Sequence, residues 1–97
     1  MKEGTISTFV MINGAEIIGR FVEETNNTVI VEKPRMVQVT QNGVGLVNGI
    51  CMTGKEPKGK FTFPKKSILY IVETADELAS GWTQQTTGIV MPQKGVV

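Results

Sequence analysis

The sequence predicts an all-β domain, a small and strongly bent barrel of five strands with a short C-terminal helix. Three observations predict it. Short runs rich in β-branched residues are punctuated by Asn13-Gly14 and Asn42-Gly43, dipeptides that favour tight hairpin turns. Glycines stand inside those runs, at Gly19, Gly45 and Gly49, where they mark the bulges and bends that let a small sheet curl. After Glu73 the apolar period changes from two to that of a helix, a switch of element type.

Each element follows in order. Thr5 to Ile12 is the first strand and stops at Asn13-Gly14. Ala15 to Glu24 is the second, with Ile17, Gly19 and Phe21 on one face and Ile18, Arg20 and Val22 on the other. The polar cluster Thr25-Asn26-Asn27 breaks it, and Thr28 to Lys33 resumes as strand. Pro34 lacks an N–H and so implies a bend or bulge before Arg35 to Gln41. Val44 to Met52 runs back from the second Asn-Gly turn, with Cys51 read as a small buried hydrophobe and Met11, Met36 and Met52 as core filler. Thr53 to Gly59 is a Gly-, Pro- and Lys-rich loop, and Lys60 to Phe63 a short strand that Pro64 ends. Lys65-Lys66 forms a tight turn into the apolar strand Ser67 to Val72, so the barrel covers about residues 5–72. Thr74 with Glu77 reads as a capping box, Leu78 and Trp82 share a helix face, and Gly81 is a stop. The helix is thus expected over about 74–81. The tail 83–97 has Ile89, Val90 and Met91 as its only apolar stretch and reads as a partner-docking or unordered segment.

Composition narrows function by exclusion. The 97 residues suit one domain. With no histidine and one aspartate, Asp76, the chain cannot build a Ser–His–Asp triad, a Cys–His pair or a histidine metal site. Glu23 and Glu24 are adjacent on a strand and point to opposite faces, which disfavours shared acid–base chemistry. No enzyme activity, cofactor or metal is expected. The lone Cys51 fits a reducing compartment, and no apolar run or leader suggests a membrane span or export. The net charge is only +1, yet residues 55–66 carry Lys55, Lys58, Lys60, Lys65 and Lys66 against Glu56 alone. That local +4 suits either a solvated loop or a polyanion.

Two segments belong together. Val10 to Val31 holds Gly14, Gly19 and Phe21 followed by the Thr25–Asn27 loop, and Phe63 to Val72 holds Lys65-Lys66-Ser67-Ile68. Their spacing resembles the two signature motifs of the Sm-like family, which includes Sm, Lsm and Hfq proteins. The chain is similar to the short Sm-like proteins of T4-like cyanophages. The matching segments cover about residues 9–33 and 61–72. Several positions depart from the family pattern. The loop aspartate is replaced by Thr25 or displaced to Glu24, the basic–Gly pair is Lys66-Ser67, and the helix follows the barrel instead of preceding it.

The resemblance implies an SH3-like, Sm-like barrel whose edge strands pair between subunits, giving a homo-oligomeric ring. Ser67 to Val72 is apolar on both faces, which independently favours a neighbour over a free edge. The family role implies single-stranded RNA, or single-stranded DNA, bound near the central pore in the cytoplasm of the host cell if the chain is phage-encoded. Asn26 and Asn27 would then meet a base edge, and Lys65 and Lys66 a phosphate. Asn26-Asn27 also fits a tight turn of left-handed residues. Arg35 and Tyr70 are stacking candidates, Tyr70 with a competing place in the core or an interface. Lys55, Lys58 and Lys60 offer a second, sequence-blind basic surface. The rival reading is a phage structural or adaptor ring that mediates protein–protein interactions.

Overall fold

The computed structural model describes residues 1–51, 53–55 and 59–87. Six strands form an antiparallel sheet: β1 (Ile6–Met11), β2 (Glu16–Glu24), β3 (Thr28–Thr40), β4 (Gly43–Leu46), β5 (Lys60–Pro64) and β6 (Ile68–Glu73). A 3₁₀ turn, Lys65–Ser67, joins β5 to β6, and the helix α1 spans Asp76–Thr87. The order is β4-β3-β2-β1-β6, with β5 also on β3. The first part of β3 pairs with β5 and its last part with β4, while its other edge lies along β2. Among the described residues β5 and β6 do not pair with each other, so the sheet bends without closing.

The bend has a local cause. Ile18 opposes Arg35 and Arg20 opposes Glu32, so the two residues Lys33 and Pro34 face Gly19 alone. This is the bulge expected at Pro34. Lys33 takes a positive φ of 49°, the only non-glycine of the described residues to do so. Gly19 lets the strands meet there, because a Cβ on it would collide with Val31 Cγ1 and stand 3.2 Å from Glu32 O. Strand β3 therefore runs on through Pro34 as one bent element.

The core lies in the concave side, where Phe9, Ile17, Phe21, Val29 and Val31 are buried together. Met11, Met36, Ile50, Phe63, Ile68 and Ile71 pack around them. Met52 is outside the described residues. The opposite face of β2 is covered by α1, whose Trp82 is fully buried. The Trp82 indole N–H donates to Lys33 O at 2.9 Å, and the Arg20 guanidinium lies 5.3 Å from its ring centre.

Four expectations are corrected. The strands number six and not five: the runs on either side of Pro34 form one strand, β3, and each other strand run, that from Val44 included, forms a strand of its own. β4 ends at Leu46, since Gly49 takes a φ of 105° and turns the chain. Cys51, beyond that end, is exposed. The helix extends to Thr87 and passes through Gly81. It starts later than the capping box implied: Ala79 N–H donates to Ala75 O, and the Thr74 hydroxyl sits 2.9 Å from that of Thr8. The remainder of the tail, 88–97, lies outside the described residues.

Candidate nucleic-acid interface

The β2–β3 turn is built around Thr25. Its Oγ1 accepts from Asn27 N at 3.3 Å and Thr28 N at 3.1 Å, and its own N–H donates to Thr28 O at 2.9 Å. Neither Asn26 nor Asn27 has a positive φ. The turn thus does not depend on left-handed asparagines, and both side chains project from an exposed tip. The 3₁₀ turn is fixed in turn by Pro64, whose carbonyl accepts from Ser67 Oγ at 2.7 Å.

The two turns are joined. Thr28 opposes Pro64 at the end of the β3–β5 ladder, and Lys65 N–H donates to Asn27 O at 2.8 Å. An open cleft of about 500 Å³ results, lined by Asn26, Asn27, Thr28, Pro64, Lys65 and Lys66. Lys65 also bridges to Glu24, with Nζ to Oε2 at 2.9 Å. That hydrogen bond and the lysine charge hold the Glu24 carboxyl below the usual carboxylate range. Lys66 is exposed and has no ion pair among the described residues. On the far side of Lys65 a second groove, about 350 Å³, is lined by Glu24, Val29 and the β6 residues Ile68 to Ile71. Tyr70 stands there 61% exposed, which removes it from the core and leaves a ring face beside the lysine.

The other sequence candidates lie elsewhere. Arg35 donates to Gln85 Oε1 at 2.9 Å and to Pro34 O at 3.2 Å, so it helps to seat α1. Lys60 is exposed opposite Glu32, at the other end of β5 from the cleft. Lys55 is exposed in the preceding loop, and Lys58 lies outside the described residues. Sequence reasoning missed Glu24 as the partner of Lys65. Its one signal was an acid immediately before the Thr25 turn.

Among the described residues no group of His, Cys, Asp and Glu side chains could hold a metal ion, and no helix is long and apolar enough to cross a membrane. No protein-family model matches the chain, and no curated protein matches it.

Proposed function

We propose that this chain binds single-stranded nucleic acid, RNA foremost, through the cleft between the Thr25–Asn27 turn and Lys65–Lys66, and that it does so as an Sm-like ring in the cytoplasm, that of the host cell if it is phage-encoded. The observation that carries the reading is the Lys65 N–Asn27 O bond, which brings two amides and two lysines to one opening. An amide offers a donor and an acceptor to a base edge. Lysine neutralises a phosphate and releases its counterions. With Lys65 engaged by Glu24, Lys66 is the principal phosphate contact, and Tyr70 supplies a stacking face from the adjoining groove. The edges of β5 and β6 that stay unpaired among the described residues suit pairing between subunits, which would close the curve of the sheet into a barrel-like ring. Weak single sites then act together at high effective concentration.

The test is a titration of fluorescent oligo(U) at several salt concentrations. Lys65→Ala/Lys66→Ala should weaken binding, and the slope of log K against log salt should shrink by about 0.7 per lost contact to a single strand. Equal affinity and slope in the variant would remove these lysines from the site. A chain that ignores oligo(U) altogether would favour the second reading, an adaptor ring for proteins. The exposed apolar pair Leu69 and Tyr70 on β6 supports that alternative.

A further inference from the structure

The chain carries the same dipeptide, Asn-Gly, at three places: Asn13-Gly14, Asn42-Gly43 and Asn48-Gly49. With no side chain on the second residue, its main-chain nitrogen can close on the asparagine amide carbon without hindrance. Both residues are the same each time, so intrinsic reactivity is alike and the surroundings decide. At the β1–β2 turn both reacting groups are engaged. Asn13 Oδ1 accepts from Ala15 N–H at 3.0 Å, and Gly14 N–H donates to Met11 O at 2.9 Å. The third pair is closed differently. Gly49 N–H donates to Val47 O at 2.9 Å, Gly49 O accepts from Met36 N–H at 3.1 Å, and Gly49 is buried.

The β3–β4 turn is different. Asn42 is exposed, and its side chain makes no hydrogen bond among the described residues. Its main-chain N–H is held by Thr40 Oγ1 at 3.2 Å, and the Thr40 hydroxyl donates to Gly43 O at 3.0 Å. The run 41–44 is exposed throughout, and a Cβ at Gly43 would meet nothing within 4 Å, so the turn is open to water. The remaining restraint is the rung Thr40↔Gly43, the last between β3 and β4. Strand β4 has four residues and pairs along one edge only among the described residues. The end rung of so short a ribbon opens at the low end of local stabilities.

We propose that Asn42 is a site of spontaneous deamidation, the first of the three pairs to convert. Base removes the Gly43 amide proton, and the nitrogen attacks Asn42 Cγ. The new C–N bond closes a succinimide ring as the side-chain nitrogen leaves as ammonia. Water then opens the ring at either carbonyl, giving aspartate or isoaspartate at position 42. No electron is transferred, and water is the only co-reactant. The product matters where it falls. Residues 36–54 include no charged side chain, and the net charge of the chain drops from +1 to zero. The new carboxylate lies one rung from Val39↔Val44, a cross-strand pair whose side chains are both exposed. An uncharged edge strand thus gains the kind of charge that blocks strand addition. Isoaspartate also lengthens the main chain by one carbon, which spoils the match at the Thr40↔Gly43 rung.

The test is timed incubation of the full chain in mildly alkaline buffer, followed by trypsin and mass spectrometry with fragmentation. Residues 36–55 form one peptide that carries both Asn42 and Asn48, and residues 3–20 carry Asn13. Asn42 should convert about tenfold or more faster than Asn13, whose two hydrogen bonds must break first. Asn48 should lag as well, behind its buried glycine. In guanidinium chloride the three rates should converge, since the dipeptide is the same. An Asn42 that stays intact in the folded chain, or converts no faster than Asn13 or Asn48, overturns the proposal. A rate order that persists in denaturant overturns it too, because the fold would then not set it.

Discussion

Glu24 and Lys65 form their ion pair on exposed side chains, with the carboxylate 2.9 Å from the ammonium. Because Lys65 lowers the Glu24 pKa in the folded state, the pair stabilises above the ordinary glutamate value, about 4.3, and this is lost as pH falls through the lower folded value. The expected outcome is a small melting-temperature gap between wild type and Glu24→Gln at pH 7 that shrinks as pH falls below the ordinary glutamate range and narrows in high salt. Calorimetric scans across pH check it, and a gap persisting in acid would assign the effect to something other than the ion pair. At this scale the sequence disclosed identities but not partnerships. Asn26, Asn27, Lys65 and Lys66 were legible as two motifs, joined only by analogy with a family. What joins them physically is one main-chain bond between residues far apart in the chain. The Glu24–Lys65 pair spans a similar separation and leaves no local trace. Arg35 shows the converse: nothing near it in sequence says that Gln85 takes its Nε donor.

The element that depends most on such distant contacts is α1. Its only fully buried side chain, Trp82, inserts beside Arg20 and bonds Lys33 O. Trp82→Ala should cost about 3–5 kcal/mol, a large part of a small domain's stability. Trp82→Phe keeps the apolar ring but gives up the indole bond, and should cost less. Urea unfolding measures both, and a loss under about 1 kcal/mol for alanine would mean that α1 is not part of the cooperative unit. The same contacts explain why the helix end was illegible. Gly81 reads as a stop from composition, but the helix continues because Gln85 and Thr86 meet Arg35, Leu46 and Lys33 on the sheet. Thr83, Thr86 and Thr87 hydroxyls bond back to Ala79, Trp82 and Thr83 carbonyls, as they can in any helix. The first two strands and the Asn13-Gly14 turn were readable because their causes are local: Gly14 takes the φ of 89° that the turn needs. The end of β4 was not, since an apolar run from Val44 onward looks like strand until Gly49 turns it.

For the whole molecule, the decisive feature is a bent sheet with two unjoined ends. β6 is the more hydrophobic end. Leu69 is the extra residue where Met11↔Ile68 and Val10↔Tyr70 lose register, so Leu69 and Tyr70 are both exposed instead of alternating. Native mass spectrometry should find a closed oligomer, and Tyr70→Lys should shift it towards monomer at the same concentration with an unchanged circular dichroism spectrum. A monomeric wild type would remove the ring and leave the fold as described. Strand content was largely legible, whereas closure was not, because it concerns edges that stay unpaired among the described residues. The bulge at Lys33-Pro34 has a last consequence. The helix is held there by a carbonyl of the main chain, which any amino acid at position 33 supplies. Substitution can drift at the anchor without cutting it among residues that accept the φ of 49° there, which leaves out proline and disfavours the β-branched residues. Deleting one residue of the pair would not merely lose a contact: a single residue would then face Gly19, the ladder would run on without its bulge, and both the bend and the carbonyl turned towards the helix would be lost. The latch is therefore robust to spelling and vulnerable to length.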